Sequence, residues 1–208
     1  MEFLGLDLPS YSWQTVLGSA ISGVFLGSIY ALVALGLTLI YGVLHIINFA
    51  HGALLMLAMY AVFFLWKLLG LDPYLAMLIV VPGAYIFGYG LQRGVIGKAS
   101  HGRDEIILLV TLGVSIVIEN AALFFFSASE RSVLVPYDLD GIDLGVTYAV
   151  YPELIALGGS LLITFALWLF MSLTDTGKAI RAVAKERQGA RLVGINVDHI
   201  FAVTFGIG

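Results

Sequence analysis

Residues 8–66 contain no Asp, Glu, Lys or Arg. A helix of about 20 apolar residues crosses the hydrocarbon core of a bilayer, so this interval alone holds two membrane spans. The same excess runs through the whole chain: 60% of its 208 residues are hydrophobic and 12% are charged. That is more apolar surface than a soluble domain of this length can hide, so lipid is expected to be the main solvent. Backbone groups in lipid must pair internally, which leaves helices or closed barrels. Barrel strands alternate apolar and polar residues, whereas here long runs are apolar on every face. The expected fold is therefore an all-α integral membrane protein, a polytopic helical bundle.

Apolar runs fall at about 14–40, 50–69, 73–92, 105–127 and 152–173, and a sixth begins near 199 and reaches Gly208. Ten residues cannot cross a bilayer. The single membrane domain 1–208 is thus expected to be truncated within its sixth span, with at least two further spans beyond. The N-terminus carries Glu2 and Asp7 and no Lys or Arg ahead of a long apolar run. A cleaved signal peptide has the opposite charge and a shorter core, so the first segment is expected to be retained.

The positive charges supply an orientation. Arg93, Lys98 and Arg103 cluster in one connecting segment, and Lys178, Arg181, Lys185, Arg187 and Arg191 in another. Positively charged loops stay inside, which makes both cytoplasmic. The segment 128–151 has Arg131 against Glu130, Asp138, Asp140 and Asp143, as suits the opposite side. Parity then puts the N-terminus outside a cell inner (plasma) membrane. Tyr11, Trp13, Tyr60, Trp66, Tyr74, Tyr148, Tyr151 and Trp168 fall mostly near run ends, at headgroup depth. Pro82–Gly83 sits inside the third run, where a missing N–H predicts a kink.

Several chemistries are excluded by composition. The chain has no cysteine, hence no disulfide, thiolate metal site or Cys nucleophile. Gly97–Lys98 and Gly177–Lys178 are each followed by Ala, so neither makes a phosphate-binding P-loop. The acidic stretch 138–143 lacks the Gly and Glu placement of a calcium loop and reads as a solvated turn. No residue is a candidate catalyst, no metal or nucleic-acid site is expected, and no cofactor is expected in this chain.

Four features carry a possible function, each with two readings. Ser19, Gly23, Gly27 and Ala31 recur every four residues and let another backbone approach closely, either in a subunit interface or within the chain. Thr38, Tyr41, His45, Asn48 and Gly52 follow a 3-4-3-4 spacing and form one polar line if the helix continues between the first two runs. That line, with His51 beside it, either belongs to a discontinuous path-lining segment or is a connector at the interface. Glu119 and Asn120 lie inside the fourth run, either facing protein or a cavity, or near its solvated outer end. Residues 176–195 predict a basic amphipathic helix capped by Thr174 or Asp175 and stopped at Gly194. Arg181, Lys185 and Gln188 share one of its faces, and Ile180, Val183, Ala184 and Leu192 supply apolar contacts. It docks either a partner protein or anionic lipid.

Two stretches, GSIYALVALGLTLIYGVLHIINFAHGALLMLAMYA at 27–61 and GKAIRAVAKERQGARLVGINVDHIFAVTFGIG at 177–208, closely resemble permease subunits of the branched-chain amino acid ABC importer family. The first resembles the family's N-terminal signature around Asn48-Phe49-Ala50-His51-Gly52, the second its cytoplasmic coupling segment and next span. The resemblance implies a type II importer core with a second permease subunit, two ATPase subunits that hold ATP and Mg, and an external substrate-binding protein. It implies that 176–195 is the coupling helix, with Lys178, Arg181, Lys185, Arg187, Arg191 and Gly194 facing the ATPase. The polar residues read above, Tyr41, His45, Asn48, His51, Glu119 and Asn120, are then the candidates for lining the solute path. Urea and short-amide importers share the family branch and are the alternative. A proton-coupled secondary transporter using Glu119 and His45, and a membrane scaffold, are the rivals from other classes.

Overall fold

The computed structural model describes residues 12–100 and 104–208. Tyr11 and Arg103, read above as an interfacial ring and a cytoplasmic charge, lie outside the described residues, as do Glu2 and Asp7. Long helices are α1 (Trp13–Leu44), α2 (His51–Leu69), α3 (Pro73–Leu91), α5 (Asp104–Phe126) and α6 (Tyr151–Leu173), with the short α4 (Gly97–Ser100) following α3. Smaller elements follow: α7 (Asp175–Lys185), α8 (Arg187–Leu192) and α9 (Val197–Ile207). Among the described residues five helices are long and apolar enough to cross a membrane. Their outer faces carry bare apolar side chains, among them Leu78, Ile86, Phe124 and Leu162. Such faces are stable against lipid rather than water, and the chain is a multi-pass membrane protein.

Local chemistry explains where the helices start and stop. Asp72 accepts a hydrogen bond from the Tyr74 amide at 2.9 Å, and Pro73 occupies the first helical position of α3, where its missing N–H costs nothing. The helix runs on through Pro82. It also runs past its expected end: Gln92–Ile96 form a π-helical segment that leads into α4. Arg93 and Lys98 therefore stand on a helical extension of the third span instead of in a loop. The extra residue per turn is accommodated without breaking the chain, which periodicity alone does not reveal. At its C-terminus α5 is closed by Arg131, whose Nη2 donates to the Phe126 carbonyl at 2.6 Å while the guanidinium lies over Phe63 and Phe64.

The chain divides into two compact units. One comprises Met1–Leu32 and Pro136–Ile163. Here the acidic stretch departs from a simple solvated turn: Gly141–Asp143 forms β1, paired antiparallel with β2 (Tyr148–Val150) in register Ile142 to Ala149. The Asp143 carboxylate accepts the Gly145 amide at 2.8 Å, a local bond that closes the connecting turn and that a count of acidic residues does not predict. α1 meets this hairpin at Gly18, where a Cβ would sit 3.1 Å from the Val146 carbonyl oxygen.

The other unit, Val33–Val135 with Thr164–Gly208, holds the core. Ile40, Val43, Leu44, Ile96, Ile180, Val183, Ala190, Val197, Ile200 and Val203 pack together out of contact with the surroundings. In this unit α2 packs on α3 and α5, and α9 packs on α3, α7 and α8. Tyr60 and Phe64 of α2 pack at a tilt against Phe126 of α5, with ring centroids 4.7 and 4.9 Å from it. The last helix starts at Val197, two residues before the expected apolar run, because the Asn196 side chain accepts the His199 amide at 3.0 Å.

Candidate functional site: the basic elbow and the polar junction

The basic segment is two helices rather than the single one expected over 176–195. Thr174 caps α7 by accepting the Gly177 amide at 3.0 Å, and its hydroxyl donates back to the Phe170 carbonyl of α6 at 2.7 Å. The helix stops at Glu186, which is extended. That residue serves both neighbours: its N–H closes α7 on the Ala182 carbonyl, and its carboxylate accepts the Gln188 amide at 3.1 Å to open α8. Glu186 is thus the N-cap of a second helix, where its negative charge suits the positive end of the helix dipole. Gly194 has φ of 87° and ends α8, with its N–H on the Arg191 carbonyl at 3.0 Å. Its role is to stop a helix rather than to present a side chain.

The elbow separates its cations by direction. Ile180 and Val183 are fully buried under α7, which leaves Arg181, Lys185 and Gln188 in solvent on the outer face. Lys178 pairs with Asp175 at 2.9 Å and Arg191 reaches Asp198 at 4.0 Å, both in exposed settings that contribute little to stability. Leu192 does not pack as expected: it is 88% exposed, because the break at Glu186 re-aims α8. Arg187 departs most from its predicted place. Its Nη2 donates to the Leu44 carbonyl, the last residue of α1, and its guanidinium lies 5.2 Å from the Phe201 ring of α9.

The other basic segment reaches the same end of this unit. Arg93 Nη1 donates to the Tyr89 hydroxyl at 2.7 Å, and that hydroxyl is 3.0 Å from Nδ1 of His199 at the start of α9. Arg93, Arg187 and Arg191 therefore lie around the start of α9.

The polar line expected through the junction of the first two runs is broken. α1 ends at Leu44 and His45 takes a left-handed conformation, φ 57°, so Tyr41, His45, Asn48 and Gly52 do not share a helical face. Buried Ile40, Val43, Leu44 and Ile46 draw this turn inward, a tertiary effect that the 3-4-3-4 spacing cannot anticipate. Asn48 is buried instead, with its side-chain oxygen accepting the Ala50 amide at 3.0 Å and its Nδ2 without a hydrogen-bond partner among the described residues. Thr111 of α5, absent from the predicted set, accepts the Phe49 amide at 3.4 Å and holds the junction to α5. His51 Nε2 lies 3.3 Å from the Val33 carbonyl of α1. The same histidine lines an apolar cavity of about 780 Å³ between α2, α3 and α9, with Leu54, Ala58, Tyr85 and Phe205.

The remaining candidates stay apart. Tyr41 and His45 are exposed. Glu119 is exposed on α5 and accepts from Ser115 Oγ one turn earlier at 2.7 Å, and Asn120 bonds the Ile116 carbonyl at 2.7 Å. Among the described residues no hydrogen bond or ion pair joins Glu119 to His45. Ser19, Gly23, Gly27 and Ala31 are also exposed, and a Cβ at Gly23 or Gly27 would meet no neighbour within 4 Å.

A polytopic helical membrane protein with a basic, broken amphipathic helix between two apolar helices is the class defined by this architecture. The chain belongs to the family described as branched-chain amino acid transport system / permease component, whose sequence profile matches residues 19–208. It is 32% identical over 200 residues to the high-affinity branched-chain amino acid transport system permease protein BraD of Pseudomonas aeruginosa, covering 90% of this chain and 65% of that protein. It is 31% identical over 205 residues to the permease proteins LivH of Salmonella typhimurium and Escherichia coli K12, with the same coverages. The chain thus spans about two thirds of the length of these curated relatives. No solved structure matches it.

Proposed function

We propose that the chain is the membrane-spanning part of a permease subunit in an ATP-driven importer of branched-chain amino acids or a similar small polar solute. The observation that carries this reading is the α7–α8 elbow, which buries Ile180 and Val183 and offers Arg181 and Lys185 outward. An amphipathic element seated on the core by one face and charged on the other suits docking to a protein that moves. The family relatives, named as branched-chain amino acid permeases, supply the solute class.

In this reading the elbow faces the cytoplasm of the inner membrane and the N-terminus lies outside. Two ATPase subunits carrying ATP and Mg bind Lys178, Arg181, Lys185 and Arg191, a second permease subunit completes the path, and an external binding protein delivers the solute. The chain itself performs no catalysis. ATP binding closes the ATPases, and the elbow passes that motion to the helices around Asn48 and His51, which open alternately to the two sides. Selectivity resides largely in the binding protein, so the permease needs no tight solute site.

The test is purification of the full-length native chain from membranes. Retention of a cytosolic P-loop ATPase, with ATP-dependent uptake of leucine, isoleucine or valine, is the expected result. Uptake that survives vanadate but collapses with the proton gradient would replace the reading with a secondary transporter.

A further inference from the structure

We propose that Arg187 is a positioning residue: not a contact for the ATPase but the tie through which the elbow moves the inner end of α1. The proposal rests on the transport reading above. Three elements meet at this side chain. Arg187 opens α8, bonds the last carbonyl of α1 at Leu44 and lies over the Phe201 ring of α9. The carbonyls at a helix C-terminus lack partners within the helix and carry partial negative charge, so a guanidinium there satisfies both a hydrogen bond and the dipole. The guanidinium also lies over an aromatic ring, 5.2 Å from its centroid, while one of its nitrogens donates, a pairing for which the compact lysine ammonium is less suited.

The placement gives the tie a mechanical role. The residue before it, Glu186, is the break between α7 and α8, so a change in the elbow angle acts first on Arg187. The residue after Leu44 is His45, whose left-handed backbone begins the junction that holds Asn48 and His51. Motion of the elbow therefore reaches the junction through this polar tie, beside the apolar packing of Ile180, Val183 and Ala190 with Ile40, Val43 and Leu44. Arg181 and Lys185, in contrast, are exposed and make no such connection among the described residues.

The experiment uses the full-length transporter with its ATPases in proteoliposomes. The chain has no cysteine, so Ile47→Cys and Val193→Cys, both at exposed sites, accept spin labels on the two sides of the tie. In the parent the label-to-label distance distribution should be narrow. Arg187→Gln should broaden it and reduce solute moved per ATP hydrolysed roughly tenfold, within the usual range of coupling free energies, while ATPase retention is unchanged. Arg187→Lys should restore part of the coupling, and Phe201→Leu, which keeps apolar bulk, should give a smaller loss and serves if Arg187→Gln fails to insert. Unchanged distances with unchanged solute per ATP overturn the proposal. So does a parallel loss of inserted protein and ATPase in all three variants, which marks a residue needed only for folding. A parent complex that hydrolyses no ATP and moves no solute fails the transport reading and removes the proposal with it, whereas an ATP-driven parent indifferent to all three variants fails the proposal alone.

Discussion

Gly88 of α3 and Gly206 of α9 face each other across a contact with no room for a side chain. A Cβ on Gly88 would lie 3.2 Å from the Gly206 Cα and from the Phe205 carbonyl, and one on Gly206 would lie 2.8 Å from the Tyr85 carbonyl. Small residues let membrane helices approach closely where no hydrophobic force drives them together. Gly88→Val or Gly206→Val should therefore destabilise the α3–α9 pair by about 1–3 kcal/mol, the usual cost of overpacking. A fall in the melting temperature of the detergent-solubilised protein checks this, and an unchanged value for both variants would show that the helices separate without penalty.

Gly177 has less space still. A Cβ there would meet the Phe170 carbonyl and lie 2.6 Å from the Met171 Cα, because α7 turns back sharply on the end of α6. Backbone cannot retreat as a flexible side chain does. Gly177→Val should detach the first turn of α7, seen as faster amide exchange across 175–185 with the spans unaffected.

Thr174 links the same two helices through its two hydroxyl bonds. Thr174→Ala should cost about 1 kcal/mol of α7 stability, and Thr174→Ser should retain most of it. Hydrogen exchange of the Gly177 amide separates the two variants; equal protection in both would count against the cap.

On the outer face, Arg181→Glu with Lys185→Glu should reduce ATPase retention and uptake together while the amount of inserted chain stays constant. These side chains cover no core, so their reversal does not disturb Ile180 or Val183. Normal assembly and uptake in this variant would remove the elbow from the docking surface.

Glu119 allows a test of proton coupling. Glutamine preserves the side-chain acceptor for Ser115 Oγ and removes the titratable group. Glu119→Gln should leave ATP-driven uptake within about twofold of the parent, since a factor of two is only a few tenths of a kcal/mol. Abolished uptake in a correctly inserted variant would bring the secondary-transport mechanism back.

The sequence by itself determined the long apolar helices, the membrane character and the family. Those properties rest on long apolar runs and local helix signals, which depend on residues near one another in the chain: the uncharged interval 8–66, Asp72–Pro73, Thr174 and Gly194. What only the tertiary structure decided is where the polar groups point. The Glu186 break turned one basic helix into two, sent Leu192 outward and carried Arg187 to the end of α1. Burial of Ile40, Leu44 and Ile46 bent the chain at His45 and dispersed the expected polar line, while Thr111 entered the junction from α5. The reason is that the direction of a polar side chain in a helical membrane protein depends on partners contributed by distant segments. The Leu44 carbonyl is left unpaired by the end of its own helix, and Arg187, 143 positions later, satisfies it.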